Sequence, residues 1–147
     1  MKTKFITLMC LAVLGLGQVF AQNQTEHTDF KFGEAEHFLD GYSFNFQYQD
    51  GKALHMSFRD GKAEYEWILG PKKGNCNTNI PYRSRKLSEH SYLINWHETG
   101  KKDYLTLVVD FEKMIVHSSI IVGYENQPVR PLKTVFLTGI VDHLNQD

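Results

Sequence analysis

The chain has 147 residues, with 16 Lys and Arg against 17 Asp and Glu and a formal net charge of −1. This balance lacks the basic surplus that binding to nucleic acid or to an anionic membrane surface requires. The length suits one ordinary domain.

The first 21 residues have the order of a secretory signal peptide. Two lysines lie within the first four residues, an apolar run follows over residues 5–16, and Val19 and Ala21 place small residues before a cleavage point. The apolar run is too short to span a bilayer core of about 30 Å. We expect an exported protein, periplasmic or secreted, that begins near Gln22 and has no membrane attachment after cleavage. A retained N-terminal anchor is the alternative.

Loss of this leader would change both the charge and the cysteine content. It removes two lysines, so 14 Lys and Arg remain against 17 Asp and Glu, a formal charge of −3. Cys76 would be the single remaining cysteine, which excludes an internal disulfide in the mature chain. An inert loop cysteine is the favoured interpretation, with a redox or dimer-forming role as the alternative.

Residues 22–40 are mostly polar and predict a loose N-terminal arm, with room for one short helix over the end of the next domain. The character of the sequence changes at Gly41. From there to the C-terminus, short segments of alternating apolar and polar residues follow one another, so residues 41–147 are predicted to form one domain.

Two Asp-Gly pairs organise the first three predicted strands. Asp50-Gly51 and Asp60-Gly61 lie ten residues apart, and each favours a two-residue hairpin turn. The alternation around these turns indicates strands with one buried and one wet face. The predicted inward rows are Tyr42, Phe44, Phe46 and Tyr48; Leu54, Met56 and Phe58; and Tyr65, Trp67 and Leu69.

The same pattern predicts five further strands, with a longer loop at Pro128 and Pro131 before the last. They cover residues 80–87, 91–98, 104–111, 114–123 and 133–141. Eight short strands at this spacing, with almost no room for helix, favour a sandwich or a barrel. Consecutive hairpins favour an all-β, eight-stranded, antiparallel up-and-down barrel, because closure removes exposed strand edges. Such a barrel holds packed side chains or one small ligand.

The aromatic first strand and a carboxylate on the fifth strand are the candidate site features. Aromatic residues facing inward either pack as a core or line a ligand pocket. Glu98 shares its side of the strand with Tyr92, Ile94 and Trp96, so it faces inward at the strand end. In an apolar cavity its pKa would rise and it could act as an acid or base. A solvated position at the rim is the alternative, and the spacing slightly favours it.

Three short motifs stand out: residues 41–48 followed by Asp50-Gly51, Tyr65 with a Gly-x-x-x-Gly loop, and the Tyr-x-x-x-Trp-x-Glu-x-Gly run of residues 92–100. Together they resemble the MoaF-like family. That family is related to phenolic acid decarboxylases within the lipocalin-like (calycin) barrels. The resemblance, over about residues 41–123, implies a lipocalin-like barrel with an internal pocket.

The relation to the decarboxylases implies four candidate catalytic positions, which are two tyrosines, an arginine and a glutamate acting on a hydroxycinnamate carboxylate. Tyr48 matches the second tyrosine and Glu98 the glutamate, which favours an inward Glu98. Phe46 stands at the first tyrosine and has no hydroxyl. Glu66 or Trp67 stands at the arginine, and neither can clamp a carboxylate as a guanidinium does.

The sequence therefore predicts a non-catalytic barrel that binds a small apolar or aromatic molecule, as a monomer or homodimer. The seven histidines lack chelating spacing and no phosphate-binding loop is present, so no metal or cofactor is expected. One alternative is a cofactor-independent lyase or hydratase that uses Glu98 and Tyr48. The other is a structural or interaction barrel with a packed interior. The predicted ligand-binding residues are Phe44, Phe46, Tyr48, Tyr65, Trp67, Trp96 and Glu98.

Overall fold

A computed structural model describes three stretches of the chain, residues 36–98, 100–124 and 132–147. The chain divides into two units, Met1–Phe32 and Gly33–Asp147, and every described residue belongs to the second. The predicted signal peptide (residues 1–21), most of the predicted arm (residues 22–40) and the predicted loop prolines lie outside the described residues.

Eight antiparallel strands form the sheet, and each pairs with its neighbours in chain order. β1 also pairs with β8, so the sheet is a closed barrel. The prediction of an eight-stranded up-and-down barrel is confirmed. The strands are β1 (Tyr42–Tyr48), β2 (Ala53–Arg59), β3 (Lys62–Leu69), β4 (Cys76–Lys86), β5 (Ser91–Glu98), β6 (Asp103–Asp110), β7 (Ile115–Val122) and β8 (Lys133–Gln146).

The Asp60-Gly61 turn fixes the register of β2 against β3. Asp60 has a φ of 49° and Gly61 a φ of 70°, and two positive φ values match the turn whose twist suits a hairpin. Arg59 pairs with Lys62 directly across it. The Asp40 carboxylate accepts the Gly61 N–H at 2.9 Å, so the chain before β1 also holds this turn in place.

One end of the barrel interior, which we call the packed end, is filled by aromatic rings. Phe44 lies 5.2 Å from Phe111 and 6.0 Å from Phe58 between ring centroids, and Phe58 lies 4.9 Å from Tyr82. Edge-on and offset contacts at these distances are favourable for aromatic pairs. The β2–β3, β4–β5 and β6–β7 turns lie at this end, and the β1–β2 and β3–β4 turns lie at the opposite, open end.

The described part of the predicted arm covers the packed end as a turn, without a helix. The Ser84 N–H donates to the Glu36 carbonyl at 2.8 Å, and the Phe38 N–H donates to Ser84 Oγ at 2.8 Å. The Tyr82 hydroxyl donates to Asp40 at 2.8 Å, while Leu39 is fully buried in the core. These bonds tie the chain before β1 to β4.

Two predicted strand boundaries were wrong. β4 begins at Cys76, before the predicted start at Ile80, because its polar first residues pair with β3 through a shifted register. Cys76 is thus a free, exposed residue on a strand and not in a loop. β8 continues to Gln146, beyond the predicted end at Val141, because β1 supplies pairing partners for its polar last residues.

The predicted inward position of Leu69 was also wrong. The register shifts where β2 passes from Ala53 to Leu54, which pair with Leu69 and Trp67. One extra residue on β3 therefore turns the end of the strand to the other face, as a β-bulge does. Leu69 is 45% exposed as a result.

Substitution of Gly139 tests how closely β8 packs on β1. A Cβ at this position would lie 2.8 Å from the Gln47 carbonyl oxygen and 3.0 Å from Val116 Cγ1. Because a main-chain atom cannot move aside easily, we expect Gly139→Ala to lower the free energy of unfolding by about 1–3 kcal/mol in urea titrations. Gly100→Ala is the matched control, since nothing lies within 4 Å of its new methyl. Equal stability of the two variants would contradict this packing.

Candidate functional site

The open end of the barrel contains a cavity of about 260 Å³. Its walls are largely apolar and include the aliphatic side chains of Leu54, Met56, Leu105, Leu107 and Leu137. These side chains come from β2, β6 and β8, so the cavity lies inside the ring of strands. The side chains at this end leave space between them, whereas rings fill the packed end.

Six of the seven predicted ligand-binding residues border this cavity. Phe44 does not, because it packs between Phe58 and Phe111 at the packed end. Strand β1 therefore contributes to both ends of the barrel interior. Its early residues pack in the core, and its late residues border the cavity. The six are Phe46, Tyr48, Tyr65, Trp67, Trp96 and Glu98.

Glu98 is a buried carboxylate with a cation against it. The residue is 4% exposed, and its Oε2 lies 2.9 Å from Lys101 Nζ. The Trp96 indole N–H donates to Oε1 at 3.5 Å. The alternative that Glu98 lies in solvent at the rim was wrong, because the inward alternation of β5 continues to the last residue of the strand.

A tight turn after β5 brings Lys101 back over Glu98. The Glu98 carbonyl accepts the N–H groups of Lys101 and Lys102 at 3.0 and 2.7 Å. The Lys101 ammonium also donates a hydrogen bond to the Tyr65 hydroxyl. Sequence reasoning missed Lys101, although a basic residue three positions after an inward carboxylate, across a glycine-containing turn, was a usable signal. A buried carboxylate needs such a partner.

Lysine ammonium groups lie against two aromatic side chains that border the cavity. Lys72 Nζ lies over the Trp67 ring, 5.4 Å from its centroid, and the negative face of a ring attracts a cation at this range. Lys101 Nζ lies 5.0 Å from the Tyr65 ring centroid, on the hydroxyl side of the ring, where it donates to the phenol oxygen. Burial works against the charged form of Lys101, but its hydrogen bonds to Tyr65 and Glu98 raise its pKa above the usual value. Lys101 is therefore a cation at neutral pH.

Tyr48 forms a second polar contact at the cavity wall. Its hydroxyl lies 2.5 Å from Ser118 Oγ, and both residues are buried. Burial raises the pKa of Tyr48 to about 12, although the hydrogen bond from Ser118 works in the opposite direction. The phenol is therefore neutral at ordinary pH and can offer a ligand a donor or an acceptor.

The described residues contain no group of three or more His, Cys, Asp or Glu side chains placed to hold a metal ion. No helix in the described stretches is long and apolar enough to cross a bilayer.

Comparison with known proteins decides the family. Residues 40–132 match the family described as MoaF-like, a range that includes most of the barrel and the cavity residues of β1, β3, β5 and β6. The chain belongs to the MoaF-like family. The resemblance found in the sequence motifs is thereby confirmed. No curated protein matches the chain.

A solved structure similar to this MoaF-like barrel comes from Burkholderia vietnamiensis and is described as a "putative beta-lactamase". It is 17% identical, with a TM-score of 0.61, and the match covers 74% of this chain and 98% of that one. At this identity the likeness shows a shared fold, and it carries no activity over to the MoaF-like barrel.

The Tyr48 hydroxyl gives a direct test of the burial at the cavity wall. Its pKa rises from 10.0 to about 12, so we expect Tyr48 to remain un-ionised at pH 10.5. The difference in tyrosinate absorbance between wild type and Tyr48→Phe measures this single group. Half-ionisation of Tyr48 near pH 10 would contradict the burial. In Ser118→Ala the phenolate loses a hydrogen bond, so titration should move to still higher pH.

The raised pKa of Tyr48 also makes the stability of the fold depend on pH. The folded state holds the Tyr48 proton more tightly than the unfolded chain does. This contribution to stability is therefore fully present below pH 10 and is lost as the pH rises from 10 to about 12. Urea unfolding of wild type and Tyr48→Phe across this range should show the steeper loss in wild type. Parallel losses in the two proteins would contradict the assignment.

Proposed function

We propose that this MoaF-like barrel is an exported, non-catalytic protein that binds one small apolar or aromatic molecule in the open-end cavity. The observation that carries the proposal is the cavity itself, about 260 Å³ with aliphatic and aromatic walls and a few placed polar groups. Ligand pockets in proteins generally have this composition. The packed-interior alternative is less well supported, since it requires this space to be filled.

The cavity volume limits the size of the ligand. A void of about 150 Å³ is large enough to hold benzene, whereas pockets for drug-sized molecules have about 300–1,000 Å³. A cavity of about 260 Å³ lies between these values. The expected ligand is one ring with a short substituent, or an alkyl chain of similar volume.

The N-terminal sequence supports the export part of the proposal. Its lysines, apolar run and small residues at the cleavage point occur in the order of a secretory leader. Binding would then take place in the periplasm or outside the cell.

A lyase or hydratase acting on a phenolic acid is the alternative function, because Tyr48 and Glu98 border the same cavity. Three features weigh against it. Phe46 offers no hydroxyl, and Trp67 on the wall offers no guanidinium for a substrate carboxylate. The Glu98 carboxylate is also held by Lys101 at 2.9 Å. Incubation with p-coumarate should leave the substrate absorbance unchanged, and turnover that disappears in Glu98→Gln would establish the lyase instead.

Ligand binding can be followed without a label because the chain has two tryptophans and both border the cavity. We expect indole fluorescence to respond to members of a panel of one-ring aromatic and short alkyl compounds. Val135 borders the cavity, so Val135→Phe should weaken binding by at least about tenfold, or 1.4 kcal/mol.

Thr134→Phe is the matched control, because Thr134 has nearly the size of valine, precedes Val135 on β8 and is exposed. It should bind as wild type does. Absence of a response to every compound in wild type would refute the proposal, as would unimpaired binding by Val135→Phe.

A further inference from the structure

The burial of Glu98 limits which ligands the cavity can accept. The Glu98 side chain is 3% exposed, whereas that of its partner Lys101 is 47% exposed. Removing one partner of a buried ion pair is destabilising, because the other charge is left uncompensated. Any ligand that displaces Lys101 must therefore bring a positive charge to Glu98.

The surroundings of the Lys101 ammonium form a cation site. Glu98 provides a carboxylate oxygen at 2.9 Å, and the Tyr65 hydroxyl accepts a hydrogen bond. An ammonium group has three N–H donors and no acceptor, so two oxygen acceptors suit it. Lys101 occupies this site from a flexible, half-exposed side chain.

We propose that the cavity takes a primary amine, with the ammonium group attached to a single aromatic ring or a short alkyl chain. This inference rests on the proposed binding function. The ligand ammonium replaces that of Lys101 beside Glu98 and Tyr65, and the apolar part fills the cavity next to Trp96. Lys101 then moves into water, where its charge is solvated.

The other charged groups that border the cavity have contacts of their own. Lys52 is paired with Asp50 at 2.5 Å, and Lys72 lies over Trp67. Asp103 also borders the cavity and accepts the Gly123 N–H at 2.8 Å, so it adds a second carboxylate. An anionic ligand would have to draw Lys101 away from Glu98 and leave that carboxylate unpaired.

Three probes with the same ring and chain length separate the possibilities. They are 2-phenylethylamine, 3-phenylpropionate and propylbenzene, which present a cation, an anion and no charge. By indole fluorescence and calorimetry with wild-type protein, we expect the amine to bind at least about tenfold more tightly than the other two. Propylbenzene binding equal to that of the amine would overturn the amine inference and still support the proposed function. Tighter binding of the carboxylate would overturn the inference, and no binding of any probe would count against both.

Two substitutions test the displacement itself. Lys101→Met keeps the apolar stem and removes the competing ammonium, so amine affinity should rise by at least about tenfold. Without amine this variant should melt at a lower temperature than wild type, and 2-phenylethylamine should restore the loss. Glu98→Gln should lose the preference for the amine and retain propylbenzene binding.

Lys73→Met is the control, because Lys73 lies beside Lys72 in the β3–β4 loop and does not border the cavity. It should match wild type in both measurements. Amine affinity that is unchanged or lower in a folded Lys101→Met would overturn the displacement. If Lys101→Met does not fold, the three-probe comparison in wild type decides the matter by itself.

Discussion

Pairing of β1 with β8 closes the sheet, and every other feature of the interior depends on that closure. Without it, both strands would present unpaired N–H and carbonyl groups at an edge. The two strands approach closely where Tyr48 pairs with Gly139, and a side chain on β8 at that point would press on the Gln47 carbonyl. Closure also forces every second residue of each strand into one limited volume, so ring and aliphatic side chains divide that volume between them.

Side chains fill this volume at the packed end of the barrel and leave a cavity at the open end. At the packed end, Phe44, Phe58 and Phe111 make ring contacts, and the turn before β1 covers them. At the open end, apolar walls enclose the cavity, and polar groups are held by fixed partners, as Tyr48 is by Ser118. A rigid core at one end keeps the strands at the other end in register. The polar groups are therefore positioned before a ligand arrives, which lowers the entropy lost on binding.

Alternation and Asp-Gly turns were enough to predict the number, order and inward faces of most strands, because each signal is local. The start of β4 and the end of β8 could not be predicted, since their polar residues become strand through pairing with a neighbour. The inward position predicted for Leu69 was wrong, because the alternation of apolar and polar residues in the sequence does not reveal a β-bulge. The Glu98 position followed from the parity of β5, whereas its partner Lys101 depends on the path of the β5–β6 turn, which composition alone does not specify.

The central claim is that an accessible apolar cavity exists at one end of the barrel while the other end is filled. Xenon enters apolar cavities of this kind, and its presence shifts the NMR signals of nearby methyl groups. Methyl spectra recorded with and without xenon therefore test the claim without any assumption about the natural ligand. The account predicts shifts for Leu105, Ile120 and Val135, which border the cavity, and none for Val109 and Val116, which are fully buried outside it. Shifts spread evenly over all five residues, or no shifts, would contradict it.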